Sequence, residues 1–209
     1  ITFATFSNEL KGITEPLDMI EMALCGQGAE NNYCGVNCGI MDQFASAMGK
    51  KDHAVLLDCS TLSYEYVPLQ LGEYCLVVAN CNKPHNLVES KYNVRRQEVE
   101  TALKLIREKL PVSCLAEITP KQFAEVKYLL SGVVAKRAEH VVMECARVQD
   151  AVSALKKGDI EELGRLLNES HFSLRDLYEV TGKELDTLSA FARKESDCLG
   201  SRMIGAGFG

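Results

Sequence analysis

The chain has 209 residues, 46% of them hydrophobic, and a formal net charge of −6, which is enough apolar material to build a core in one large domain or two small ones. With a pI near 5.3 and no Lys/Arg cluster beyond short helical stretches, it lacks the basic surface that dominates nucleic-acid affinity, and nucleic acid is excluded as a partner. No apolar run reaches the ~18 residues that a bilayer span requires and the N-terminus has no signal layout, so a soluble, cytoplasmic protein with no membrane partner is expected.

The chain opens on Ile1-Thr2-Phe3-Ala4-Thr5-Phe6, already inside an apolar helical pattern and without an initiator Met, and it stops on Gly205-Ala206-Gly207-Phe208-Gly209. Both ends read as truncated. Residues 1 to 10 predict a helix ending at Gly12, and Leu17 to Leu24 predict a second after Pro16, where the missing N–H costs nothing. A polar stretch with Glu30 then leads into Cys34-Gly35-Val36-Asn37-Cys38-Gly39-Ile40-Met41-Asp42-Gln43-Phe44. Gly35 and Gly39 let this loop turn tightly, and Ile40, Phe44 and Met48 follow at helical spacing until Gly49. Asp42 would stand in the first turn, where the helix dipole favours a negative charge. Taken alone, it is equally an ordinary first-turn acid behind two turn glycines.

Ala54 to Cys59 and Tyr64 to Val67 predict two strands joined by Ser60-Thr61-Leu62-Ser63. An apolar run, Tyr74 to Ala79, predicts a third. Asn82 to Lys91 is expected as a loop with Tyr92 at its end, followed by a helix carrying Val99, Ala102, Leu103, Ile106 and Leu110 before Pro111. A short helix is expected near Gln122 to Leu130. Between residues 134 and 155, Val134, Ala138, Val141, Cys145, Val148, Val152 and Leu155 alternate spacings of four and three, which predicts a long core helix ending at Gly158 in preference to a coiled coil. Asp159 caps a helix with Ile160, Leu163, Leu166 and Leu167, and Thr181 or Gly182 precedes a last one with Leu185, Leu188 and Phe191.

The nine cysteines, at 25, 34, 38, 59, 75, 81, 114, 145 and 198, are odd in number and several lie in apolar segments, which fits reduced, core-packed thiols better than a disulfide framework. Cys34 and Cys38 lack a second Cys or His pair at ligand spacing, so no zinc site is expected. The string Glu169-Ser170-His171-Phe172-Ser173-Leu174-Arg175-Asp176 contains the residue types of a hydrolase triad, but groups this close on one helix do not face one another in triad geometry. Glu30, Tyr92 with Arg95 and Arg96, and the closing glycines also stand outside the core pattern. Each has a plain reading: a surface acid, a helix-start aromatic beside arginines paired with Glu98 and Glu100, and a lone glycine cluster.

Taken together, the strings Cys38-Gly39-Ile40-Met41-Asp42-Gln43, His53-Ala54-Val55-Leu56-Leu57-Asp58-Cys59, Ser90-Lys91-Tyr92-Asn93-Val94-Arg95-Arg96, Ser173-Leu174-Arg175-Asp176 and Gly200-Ser201-Arg202-Met203 with Gly205-Ala206-Gly207-Phe208-Gly209 resemble the galactokinases of the GHMP small-molecule kinase group, in the same order and at similar spacing. The resemblance implies an α+β, two-domain architecture, with residues 1–70 the remainder of the first domain and residues 71–209 most of the second. It implies ATP-dependent phosphorylation of the galactose C1 hydroxyl, with ATP and Mg2+ required. Residue by residue, it implies Asp42 as the active-site acid, Glu30 as a magnesium-binding acid, Gly39 and Tyr92 at the sugar, and Gly205 and Gly207 in a glycine-rich segment supporting the nucleotide site.

The family's N-terminal motif and its serine-rich phosphate loop are missing from these 209 residues, so the fragment alone is expected to be inactive. A galactokinase-like sugar sensor without turnover and an N-acetylgalactosamine kinase are the alternatives.

Overall fold

The computed structural model describes residues 11–12, 17–35, 37–83 and 88–208, with the backbone alone at 88–90. The expected helix over residues 1 to 10 lies outside these. The chain divides into two compact units, Ile1–Gln70 and Leu71–Gly209. It is α+β, with one two-stranded sheet among the described residues.

In the first unit, helix α1 (Met19–Gly28) starts where the Asp18 carboxylate accepts from the amides of Ile20 and Glu21, satisfying donors that have no partner within the helix. It continues without a break into a π-helical turn, Ala29–Tyr33, so the polar stretch around Glu30 is helical. Helix α2 (Met41–Met48) follows, ending at Gly49, and β1 (His53–Leu57) pairs antiparallel with β2 (Tyr64–Pro68). The turn between the strands is built by Asp58, which accepts from the Ser60 amide at 2.8 Å and the Ser60 hydroxyl at 2.6 Å. The core is Ala23, Ile40 and Phe44, with Ile20, Ala47, Met48, Val55, Leu57 and Leu62 packed around them.

In the second unit the apolar run from Tyr74 to Ala79 does not form the expected strand. It has no regular structure and no ladder among the described residues, and Leu76, Val77 and Val78 are 64%, 83% and 78% exposed. A strand exists only where a second strand takes its N–H and C=O groups. Helix α3 (Val88–Ile106) begins earlier than expected, so Tyr92 sits within it and not at the end of a loop. Thr119 opens α4 (Pro120–Val126) with a reciprocal capping box to Gln122.

The long helix is α5 (Gly132–Lys157), closed by Gly158 in the left-handed region. It packs against α3, α4 and α6 (Ile160–Ser173) as a core helix, and Asp159 caps α6 through the Glu162 amide. A π-helical turn, Leu174–Tyr178, prolongs α6, and α7 (Lys183–Ala192) follows Gly182. Ala102, Ile106, Leu115, Ile118, Phe123, Val126, Leu130, Ala138 and Val142 form the main core. All nine cysteines are free thiols, but none is buried. The core-packing expectation is therefore corrected: a sulfur inside an apolar run is buried only if that run is covered.

Candidate functional site

The loop before α2 is held from behind by α1 and its π turn. Asn31 Oδ1 accepts from the Cys38 amide at 3.0 Å and faces its Sγ at 3.4 Å, while the Gln27 side-chain amide donates to the Cys38 carbonyl at 3.2 Å. Gln43, from the first turn of α2, reaches the same sulfur at 3.9 Å. Gly35 adopts φ +75°. Gly39 has no such requirement, and a Cβ there would meet open space. Ile40 and Phe44, 4% and 1% exposed, then fix α2 to the core.

Asp42 is consequently presented on the outer face of the first turn, exposed and without a salt bridge among the described residues. Glu30, on the π turn whose Asn31 holds Cys38, is exposed as well. Glu30, Gly39 and Asp42 thus belong to one connected piece of the first unit, with the backbone at Cys38 as its hinge pin.

Tyr92, Gly205 and Gly207 belong to the second unit. Tyr92 is half-buried on α3. Next to it, Lys91, Val94, Arg95, Glu179 and Phe208 line an open pocket of about 270 Å³, and the Lys91 ammonium lies 5.8 Å from the Phe208 ring centroid. The start of α3 and the end of the glycine-rich segment therefore meet.

That segment is anchored along its length. Asn168 donates to the Leu199 carbonyl at 3.2 Å and accepts from the Ser201 amide at 3.0 Å. Ser189 and Arg193 donate to the Ser201 carbonyl at 2.9 and 3.0 Å. At Gly164 and Gly200 the backbones touch: a Cβ on Gly200 would lie 2.1 Å from the Gly164 carbonyl oxygen, so α6 and the segment pack only as glycines. Gly207 is buried at φ +81°, a Cβ there would meet the Val180 carbonyl oxygen at 2.2 Å, and the same oxygen accepts from the Phe208 amide at 2.6 Å. Gly205 is exposed at φ +77°.

Three buried polar groups support these elements, two of them absent from the sequence analysis and the third, His171, weighed there only within a triad-like string. Arg137, 1% exposed, donates to Glu98 at 2.9 Å, to the Leu177 carbonyl at 2.5 Å and to Glu179 at 2.8 Å, tying α3 and α5 to the π turn. His140 pairs its Nδ1 with Ser173 Oγ at 2.8 Å and stacks on Tyr178 at 4.4 Å; burial pushes its imidazole down to about 4. His171, 0% exposed, accepts from the Met203 amide. Their signal was polar residues within otherwise apolar helical stripes. For Gln27 and Asn31 it was a polar pair at i and i+4 on one helix face.

The triad-like string does not converge. Ser170 bonds Glu144, Ser173 bonds His140, and Asp176 bonds Arg175 at 2.7 Å.

Residues 151–209, within the second unit, match the family described as GHMP kinases C terminal. By sequence and by fold the chain is similar to galactokinases. It is 54% identical over 194 residues to the galactokinase of Clostridium tetani, an alignment covering 92% of this chain and 50% of that one. To the galactokinase of Clostridium beijerinckii it is 48% identical over 210 residues, covering 100% and 54%. A solved structure of Lactococcus lactis galactokinase complexed with galactose superposes with a TM-score of 0.90 at 45% identity, covering 97% of this chain and 52% of that one. The chain thus spans about half the length of the curated relatives it matches. Among the described residues no helix is long and apolar enough to cross a membrane.

Proposed function

We propose that the protein containing these residues is a cytoplasmic galactokinase, transferring the γ-phosphoryl group of ATP to the C1 hydroxyl of galactose to give galactose 1-phosphate and ADP. The observation that carries this reading is the loop pinned at Cys38 by Asn31 and Gln27, which delivers an exposed carboxylate, Asp42, on the first turn of α2. Phosphoryl transfer needs little covalent work from a protein; rate comes from aligning the attacking oxygen and neutralising charge.

Asp42 accepts the hydroxyl proton as the oxygen attacks. It stands in the first turn of a helix, where the dipole favours negative charge, and it acts as an orienting acceptor as much as a base. Gly39 brings backbone close to the sugar with no side chain in the way, and Tyr92 contributes a phenol for a sugar hydroxyl. Gly205 and Gly207 shape the segment that supports the nucleotide.

Mg2+ characteristically takes one or two carboxylates and completes its shell with phosphate oxygens and water. Among the described residues no three His, Cys, Asp or Glu side chains converge, and Glu30, single and exposed, fits that habit. When bound, the ion would neutralise charge on the transferred phosphoryl group.

Incubating the protein with ATP, Mg2+ and a panel of sugars tests the reading. Galactose 1-phosphate and ADP are the expected products, with galactose preferred. Absence of turnover with sugar binding retained would favour a sensor, and better turnover of N-acetylgalactosamine would reassign the substrate.

A further inference from the structure

The closing segment is fastened twice around its tip. Before the tip, the Met203 amide donates to His171 Nδ1 at 3.2 Å; after it, the Phe208 amide donates to the Val180 carbonyl. Between these two anchors, Ile204 is 66% exposed and Gly205 and Ala206 are exposed.

Because Nδ1 accepts, the ring proton sits on Nε2, which lies 3.3 Å from Asp186 Oδ1 in the first turn of α7. One buried ring on α6 therefore bonds the segment and faces the first turn of α7, with Nε2 and Asp186 Oδ1 close but outside hydrogen-bond geometry. Met203 is itself 5% exposed, and a buried amide without an acceptor is costly. An apolar side chain at position 171 would fill the space but leave that donor unpaired. Arg202 Nε donates to the Met203 carbonyl at 2.9 Å, so the peptide on the other side of Met203 is fixed too.

We infer that His171 is a positioning residue for the nucleotide site: its imidazole, accepting from the Met203 amide, sets the backbone there and with it the exposed Ile204–Ala206 tip. The inference rests on the reading of the glycine-rich segment as nucleotide support. The ring's surroundings agree with the neutral form. Burial lowers its proton affinity first, Arg193 and Arg175 lower it further, and Asp186 opposes them.

The test compares His171→Leu, which removes the acceptor, with His171→Asn, whose Oδ1 falls near the position of Nδ1, in the full protein. Two readouts are taken: hydrogen exchange at the Met203 amide, and KM for ATP and for galactose. In His171→Leu, exchange at Met203 should rise about tenfold or more, and KM for ATP should rise severalfold with KM for galactose unchanged. His171→Asn should restore both to within about twofold of the parent.

Unchanged exchange in His171→Leu overturns the anchor, whatever the activity. Accelerated exchange with an unchanged ATP KM, or with both KM values raised alike, overturns the positioning role. If His171→Leu does not fold, His171→Asn decides: a protected amide with a normal ATP KM upholds the inference, and a protected amide with a raised ATP KM overturns it. A parent protein that does not phosphorylate galactose refutes the functional reading instead, and Met203 exchange still decides the anchor.

Discussion

Replacing Arg137 with Ala removes a guanidinium whose side chain is 2% exposed and which serves acceptors on α3 and at the Leu177–Glu179 turn. The three acceptors do not lose equally. Glu98, 19% exposed, keeps its ion pair with Arg95, and Glu179, 44% exposed, turns to water at little cost. The Leu177 carbonyl loses a 2.5 Å bond in a part-buried setting, a loss of about 1–2 kcal/mol for an acceptor left unsatisfied, and the buried methylenes of the stem add about 1–2 kcal/mol. The total, about 3 kcal/mol, lies at the low end for a broken buried pair because two of the partners are rescued. Arg137→Lys keeps the charge but not the fork, and should lose less than Arg137→Ala while remaining below the parent. Urea denaturation at neutral pH, followed by far-UV circular dichroism, measures the difference. A loss under about 1 kcal/mol for Arg137→Ala would refute the assignment of Arg137 as the tie between α3, α5 and the π turn.

Four further outcomes are expected. His140 has its folded-state value lowered to about 4 by burial; the stability this contributes is present above its ordinary value near 6.5 and is lost as pH falls toward 4, so thermal midpoints should decline through that window, and less so in His140→Phe. Gly207→Ala must place a Cβ 2.2 Å from the Val180 carbonyl oxygen on a left-handed backbone that costs an alanine about 1–2 kcal/mol before the clash; it should lower the thermal midpoint and raise KM for ATP more than KM for galactose. Gly39→Ala, facing open space, should change stability by less than about 1 kcal/mol yet raise KM for galactose, and an unchanged galactose KM would remove Gly39 from the sugar site. Val77→Lys, at a position 83% exposed, should reduce self-association of the 209-residue chain in light scattering, since a charge interrupts an exposed apolar run of high β-propensity.

Local signals carried over into structure. The four-and-three spacing from Val134 to Leu155 became α5, Asp159 became the cap of α6, and Asp42 stands in a first turn because Ile40 and Phe44 bury the other face. What failed depended on distant partners. Tyr74 to Ala79 has every local property of a strand and no ladder among the described residues, because β pairing is decided by another segment and not by the run itself. The same holds for Glu30, whose helical geometry follows from α1 continuing past Gly28 into a π turn.

The candidate site residues stood out in the sequence, and the groups that support them did not. Asp42, Tyr92 and the glycines are conspicuous types at conspicuous spacings, whereas Gln27, Asn31 and His171 act through backbone groups at Cys38 and Met203 that no side-chain pattern announces. Arg137 was hidden differently, as a cation within an apolar stripe, where its burial depends on Glu98 and the Leu177–Glu179 turn arriving from other elements.

Asp42→Asn in the full protein tests most directly whether Asp42 accepts the proton from the attacking sugar hydroxyl. Asn keeps the shape and the first-turn position on an exposed surface, so the fold and galactose affinity should stay within a few-fold of the parent. Turnover with ATP and galactose should fall by about 10²-fold or more, the usual worth of a positioned acid or base. Near-normal turnover with intact sugar binding would contradict the account and leave Asp42 as an ordinary first-turn acid.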